Sequence, residues 1–183
     1  GFWNFDDPYA LGADTSPQHF PLAVLGGATG SGNGFAGGAL LLDGASGFLQ
    51  GGSFPPAVPV GNAPYSMAAW IKPSGTGARG MVGWGDYATD RAVTALRLQG
   101  NNGVAHVWQG ANLFTSLATI QLADGDWHHI AATYDGQTRP LWADGQMVGW
   151  DVPGLHADGA DHFSLWRTAD VRCFGSRLGE VRH

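Results

Sequence analysis

Apolar and polar residues alternate with a period of two in short runs along this chain, and Gly, Pro, Asp and Asn separate the runs. The clearest run is "YSMAAWIKP" at 65–73. It sets Ser66, Ala68, Trp70 and Lys72 against Tyr65, Met67, Ala69 and Ile71, and Pro73 and Gly75 stop it. The same reading predicts strands at 1–5, 80–85, 92–99, 103–110, 127–135, 138–144 and 147–152, with a strand, an Asp43–Gly44 turn and a second strand across 38–50. Asp-Gly pairs at 135–136 and 144–145 mark tight reversals, so the last three of these runs form an antiparallel meander. Pro140 removes a ladder donor and is expected at an edge or bulge. Residues 6–34 read as a long loop, and no stretch has the periodicity and caps of an amphipathic helix. Ten or so short strands in a chain of 183 residues imply two packed antiparallel sheets.

Composition narrows the functional classes. The formal net charge is −6, and the nine basic residues are scattered, which argues against a nucleic-acid partner. No apolar run is long enough to span a bilayer as a helix. Cys173 is the only cysteine, so neither an internal disulfide nor a Cys-rich zinc site can form, and burial is its expected state. The glycines of "GGATGSGNG" at 26–34 are not followed by Gly-Lys-Ser/Thr, so a turn or flexible loop is expected there and not a nucleotide site.

The segment "DGDWHHIAATYDG" at 124–136 places two histidines beside carboxylates and a tryptophan. On a strand, neighbouring side chains point to opposite faces, so His128 and His129 are poorly placed to hold one metal ion. One of them faces the interior and is expected to bond its ring nitrogens to backbone or neighbouring side chains. A base, an orienter and a reacting partner are not identifiable together here.

Taken in order, "WNFDD", "GGALLLDGASGFL", "YSMAAWIKP", "MVGWGD", "LADGDWHHIAATYDG", "LWADGQMVG" and "FGSRLGEVR" resemble the laminin G-like, concanavalin A-like domains, from Trp3 to Arg182. The resemblance implies an all-β fold, a two-sheet antiparallel jelly-roll β-sandwich, occupying residues 1–183 as one domain. The start at Gly1 and the stop at His183 are read as a domain excised from a longer polypeptide. It further implies an extracellular or cell-surface location, with a glycan, an extracellular protein or neighbouring domains of the same polypeptide as partners. Members of the family often carry structural calcium between the first strand, an early turn and the last strand. Those positions are Asp6, Asp43 and Glu180 here, with Asp14 a further loop candidate. Gly179 stands where the family commonly has an Asp before the Glu, which removes one side-chain ligand.

Bacterial glucanases share the sandwich but need two close carboxyl groups, in a Glu-x-Asp-x-Glu type motif on one strand. This chain has a single glutamate, Glu180, and no equivalent Asp spacing on any strand. A lyase of similar fold would need His and Tyr facing one cleft beside Arg or Gln; His106 or His129 with Tyr134 is the candidate pairing, and nothing in the spacing requires it. A non-catalytic carbohydrate-binding module is the favoured reading, and a structural or protein-interaction module is its rival. Exposed Trp beside amides is the combination that stacks on sugar rings and takes their hydroxyls. Trp108, Gln109 and Asn112 form one such group, and Trp84, Asp86 and Tyr87 another. Arg97 and Trp70 are expected to line the same sheet, while Trp70, Trp127 and Trp142 are expected in the core.

Overall fold

The structure is a computed structural model that describes residues 1–52, 58–74, 77–85, 90–100, 103–108, 112–117, 120–154, 156–158, 163–165 and 176–182. Within them the chain forms β1 (Phe2–Trp3), β2 (Ala23–Leu25), β3 (Thr29–Ser31), β4 (Ala39–Leu41), β5 (Phe48–Gln50), β6 (Tyr65–Pro73), β7 (Arg79–Gly85) and β8 (Val93–Leu98). It continues with β9 (Gly103–Val107), β10 (Leu113–Ser116), β11 (His128–Tyr134), β12 (Leu141–Ala143), β13 (Gln146–Gly149), β14 (Ser164–Leu165) and β15 (Ser176–Arg182).

The strands make two sheets. One has eight strands in the order β13-β12-β11-β6-β15-β4-β3, with β1 paired to β15; the other has seven, in the order β10-β9-β8-β7-β14-β5-β2. All the pairings are antiparallel, and β15 lies between β4 and β6, so the end of the chain closes the sheet begun by its first strand. The expected meander is present as β11-β12-β13. Pro140 immediately precedes β12, where a missing donor costs no ladder bond, and its carbonyl accepts from Thr133 N.

The predicted 6–34 loop contains two strands. Thr29–Ser31 of the glycine-rich stretch pairs with β4, and Ala23–Leu25 pairs with β5. These strands are too short for a hydrophobic period to register, and the pairing partner decides them. β10 and β14 escaped the sequence reading for the same reason. Cys173 lies outside the described residues.

The core lies between the sheets. Met67, Ala69 and Ile71 of β6 and Ile130 and Ala132 of β11 meet Val82, Trp84, Leu96, Leu98 and Val104 of the opposing sheet in one buried cluster. Full burial of a side chain of this size contributes about 1.5–3 kcal/mol, so the row of β6 that holds these residues is the one the fold turns inward. Ser66, Ala68, Trp70 and Lys72 therefore face outward.

Candidate functional site

The outward rows of β6 and β11 build a groove. Trp70 sits directly opposite His129, with ring centroids 5.0 Å apart. Phe35 lies flat on Trp70, centroid to centroid 3.4 Å and nearly parallel at 8°, and Trp127 meets Phe35 edge-on at 6.5 Å. Together with Ala68 and Asp144 these residues line an open depression of about 680 Å³, and Phe35 is 49% exposed. The face combines aromatic planes with a carboxylate and an imidazole at its border.

Local sequence explains how Phe35 reaches this position. In "NGFAGG" (33–38) Gly34 N donates to Gly37 O, and Gly37 has a φ of 84°, which favours glycine. Asp6 then ties the loop to the first strand: its Oδ1 accepts from Gly38 N at 2.7 Å and its Oδ2 from Asn4 Nδ2 at 2.8 Å. A Cβ at Gly38 would come within 2.0 Å of the Phe5 carbonyl oxygen, a backbone atom, so the loop can lie this close to the first strand only with glycine there.

A histidine clip holds the other wall. His128 Nδ1 bonds Asp144 Oδ2 at 2.8 Å and its Nε2 bonds Asp124 Oδ1 at 3.0 Å, an arrangement that uses both ring nitrogens as donors and favours the imidazolium. Burial lowers the pKa of His128, but the hydrogen bonds to Asp144 and Asp124 outweigh it and the net shift is upward. The bond from His128, with that from Asp126 N, holds the Asp124 carboxyl below its ordinary range. Asp144 also accepts His129 N at 2.8 Å, so one carboxylate joins the groove's edge to both histidines. As the strand geometry requires, His128 points in while His129 joins Trp70 outside.

On the inner side of the same two strands is a second, closed cluster of aromatic and charged groups. Trp108 Nε1 donates to Tyr65 Oη at 2.8 Å, and Thr94 bonds the same oxygen. The Tyr65 hydroxyl and His106 Nε2 share a hydrogen bond of 2.6 Å. Burial, with the nearby Arg139 charge adding to it, lowers the His106 pKa to about 3, and burial pushes the Tyr65 phenol up. Arg139 stacks over Trp108 at 4.3 Å and is held by Asp151 through Nε–Oδ1 at 2.9 Å and Nη2–Oδ2 at 2.5 Å. A His, a Tyr and an Arg do converge, as lyase chemistry would need, but His106 and Arg139 are both 0% exposed. No carboxylate occurs on β6, β7, β8, β9 or β11, so these strands also lack a glucanase dyad.

The residues proposed from sequence fall elsewhere. Trp84 and Trp108 are each 1% exposed: Trp84 donates to Pro59 O and packs beside Phe163, and Trp108 belongs to the closed cluster. Neither ring can offer a face to a ligand. Trp70, Trp127 and Trp142, expected in the core, are partly exposed. Arg97 is 9% exposed and lies on β8 of the seven-stranded sheet, not on the sheet of Trp70, in the row of the second buried cluster of Val93, Ala95, Ala105 and Val107. Asn112 is exposed, and Asp86, Tyr87 and Gln109 lie outside the described residues. Phe35 and His129 were not singled out for binding. A usable signal was present for the groove, because Trp70 shares its strand row with Ser66 and Lys72, the residues of a solvent face.

Of the calcium candidates, Asp6, Asp14 and Asp43 are each engaged by backbone N–H donors. Asp14 accepts from Phe2 N, Ser16 N and Phe20 N and fixes the first strand to its loop. Asp43 accepts from Ala45 N, Ser46 N, Gly47 N and Ser46 Oγ, and these bonds hold its carboxyl far below the ordinary range. Asp6 is engaged by the Phe35 loop, and the backbone of Glu180 lies in the irregular stretch of β15 between Leu178, paired with Ile71, and Val181, paired with Ala69. Among the described residues, no three His, Cys, Asp or Glu gather around one point.

Two antiparallel sheets packed over a shared core, with an open aromatic groove on one outer face, make a β-sandwich. Residues 45–182 match the family model of the concanavalin A-like lectin/glucanases superfamily, and the chain belongs to that family. Among solved structures, it resembles domain 4 of AbnA, a GH43 extracellular arabinanase from Geobacillus stearothermophilus, in complex with arabinotriose. The TM-score is 0.72 at 16% identity, with 99% of this chain and 89% of that one covered. It also resembles the binding domain of Paraclostridial Mosquitocidal Protein 1, with a TM-score of 0.68 at 14% identity, over 92% of this chain and 45% of that one. The CBM40 of a Ruminococcus gnavus sialidase bound to α2,3-sialyllactose has a TM-score of 0.54 at 15% identity, over 72% of this chain and 84% of that one. At these identities the likeness is one of fold. No curated protein matches the sequence.

Proposed function

We propose that this chain is a non-catalytic carbohydrate-recognition module of a secreted or surface polypeptide, and that the groove over β6 and β11 is its sugar seat. The observation that carries the reading is the exposed Phe35–Trp70 stack with Trp127 and His129 around it and Asp144 at its border. Sugar rings lay their C–H faces on aromatic planes, and a carboxylate and an imidazole take hydroxyls. Two structures of the same fold contain bound glycans, arabinotriose in one and sialyllactose in the other, and the first belongs to an enzyme described as extracellular. The sealed His106–Tyr65–Arg139 cluster supports the absence of catalysis at that position.

A glycan-array screen of the whole chain tests the reading. Specific hits that weaken at least tenfold in Trp70→Ala, in a variant that still melts cooperatively, are the expected result. A blank array, or hits indifferent to Trp70→Ala, would reject this seat. A second reading, protein recognition, is favoured by one observation: Met147, Trp150 and Val152 are 53%, 59% and 65% exposed along one short stretch. A blank array together with a partner whose capture is lost in Trp150→Ser would establish that alternative.

A further inference from the structure

We infer that the seat takes a run of several units of a linear glycan, laid along the β6–β11 ladder, and not a single terminal sugar; this rests on the carbohydrate reading above. A second depression, of about 420 Å³, opens at the Tyr65–Tyr134 end of the ladder, lined by Ser66 and Thr133 of the outward row, by Tyr65 and Tyr134 of the inward one, and by Asp135 and Pro140. It lies on the same ladder as the aromatic groove. Register pairs Trp70 with His129, Ala68 with Ala131 and Ser66 with Thr133, so one outward row leads from the aromatic pair over two methyl groups to a hydroxyl pair. From Trp70 to Ser66 this row is about 13 Å long at roughly 3.3 Å per residue, longer than one sugar ring.

The floor between the depressions is shaped for a passing chain. Ala68 and Ala131 present only methyl groups, so no side chain rises from these two strands to separate the ends. Trp142 is paired with Ala131 on β12 and so shares its face beside this floor. The chemistry changes along the track: stacking planes at one end, and at the other Ser66 and Thr133, whose hydroxyls donate and accept as sugar hydroxyls do. A monosaccharide on Trp70 would leave the hydroxyl end unused. A chain engages both.

The test is a length series on the intact chain. Arabino-, xylo-, cello- and galacturono-oligosaccharides of one, three and six units are titrated by calorimetry, with ligand-observed NMR for the weak members. In at least one series the trimer is expected to bind tenfold or more tightly than the monomer. Filling the far end with Ser66→Tyr, and independently with Thr133→Tyr, should bring the trimer down to the affinity of the monomer while monomer binding and melting stay as they were. Binding that is abolished by Trp70→Ala but independent of length overturns the inference and leaves the carbohydrate reading standing, as does a trimer indifferent to both far-end variants. No binding in any series overturns the inference, and a blank array besides overturns the reading beneath it.

Discussion

The two faces of β6 carry similar residue types and put them to opposite uses. Inward, half-buried Tyr65 joins Trp108, His106 and Arg139, which are closed from water, in a cluster where the rings pack edge-on or under a cation. Outward, five residues along, Trp70 joins Phe35, Trp127 and His129 in an open groove. Hydrogen bonds inside the first cluster satisfy Tyr65 and Trp108 and leave them no capacity for a ligand. In the second, the indole and phenyl planes are stabilised by each other and keep free surface. A count of aromatic and polar residues along the chain cannot separate the two cases, since the difference lies in which row of the strand the sheet packing covers.

Breaking that contrast begins with the two tryptophans. Trp108→Ala should cost about 3–5 kcal/mol of unfolding free energy, as for other large core truncations, with the glycan affinity of the folded fraction unchanged. Trp70→Ala should cost only about 1 kcal/mol, the order of one aromatic stacking contact, while abolishing the affinity. Urea titration combined with calorimetry reads both quantities. Equal stability losses, or a binding defect in the Trp108 variant at full folding, would erase the distinction.

The next largest effect is on pH dependence, where the two inward histidines act with opposite signs. His106 has a lowered pKa, so the unfolded chain binds the extra proton; its contribution is complete above about 6.5 and is lost as pH falls toward 3. His128 has a raised pKa, so its contribution is complete below about 6.5 and is lost as pH rises through its folded value. A melting-temperature profile should therefore be dome-shaped. Replacing His128 by Gln should flatten its alkaline limb, a change of about 2–4 °C for each kcal/mol in a chain of this size. An alkaline limb unaltered by that substitution would dissolve the proposed clip.

Smaller effects sharpen the groove. Asp6→Ala frees the glycine loop that presents Phe35, removing hydrogen bonds that contribute on the order of 1 kcal/mol. It should weaken glycan affinity a few-fold with little change in melting; an unaltered affinity would separate Asp6 from the site. The smallest expected effect is that of a chelator. With the described carboxylates turned to N–H donors, its addition to calcium-equilibrated protein should leave the melting temperature in place, and a clear drop would point to calcium held by groups other than those described.

Much of the fold was legible in the residues alone. The period-two runs gave β6, β7, β8, β11 and the meander to within a few residues, because long half-buried strands must alternate. The strand rule also foresaw that His128 and His129 would part company. The short strands β2, β3, β10 and β14 were not legible, since two to four residues carry no period and are strands only because a neighbour pairs with them. Asp6, Asp14 and Asp43 were singled out as calcium candidates, and their part as backbone acceptors was not legible for Asp6 and Asp14, whose donors include Gly38, 32 residues away, and Phe2, 12 residues away. The donors of Asp43 lie within four residues of it.

The sequence by itself determined an all-β chain, the family, the two rows of each long strand and the meander, since these follow from local periodicity, turn chemistry and the order of short motifs. Only the tertiary structure decided which row went inside. That choice is made by the total apolar surface the two sheets can bury against each other, a property of all the strands at once. It placed His106 and Trp108 in the interior and left Trp70 and Phe35 facing water.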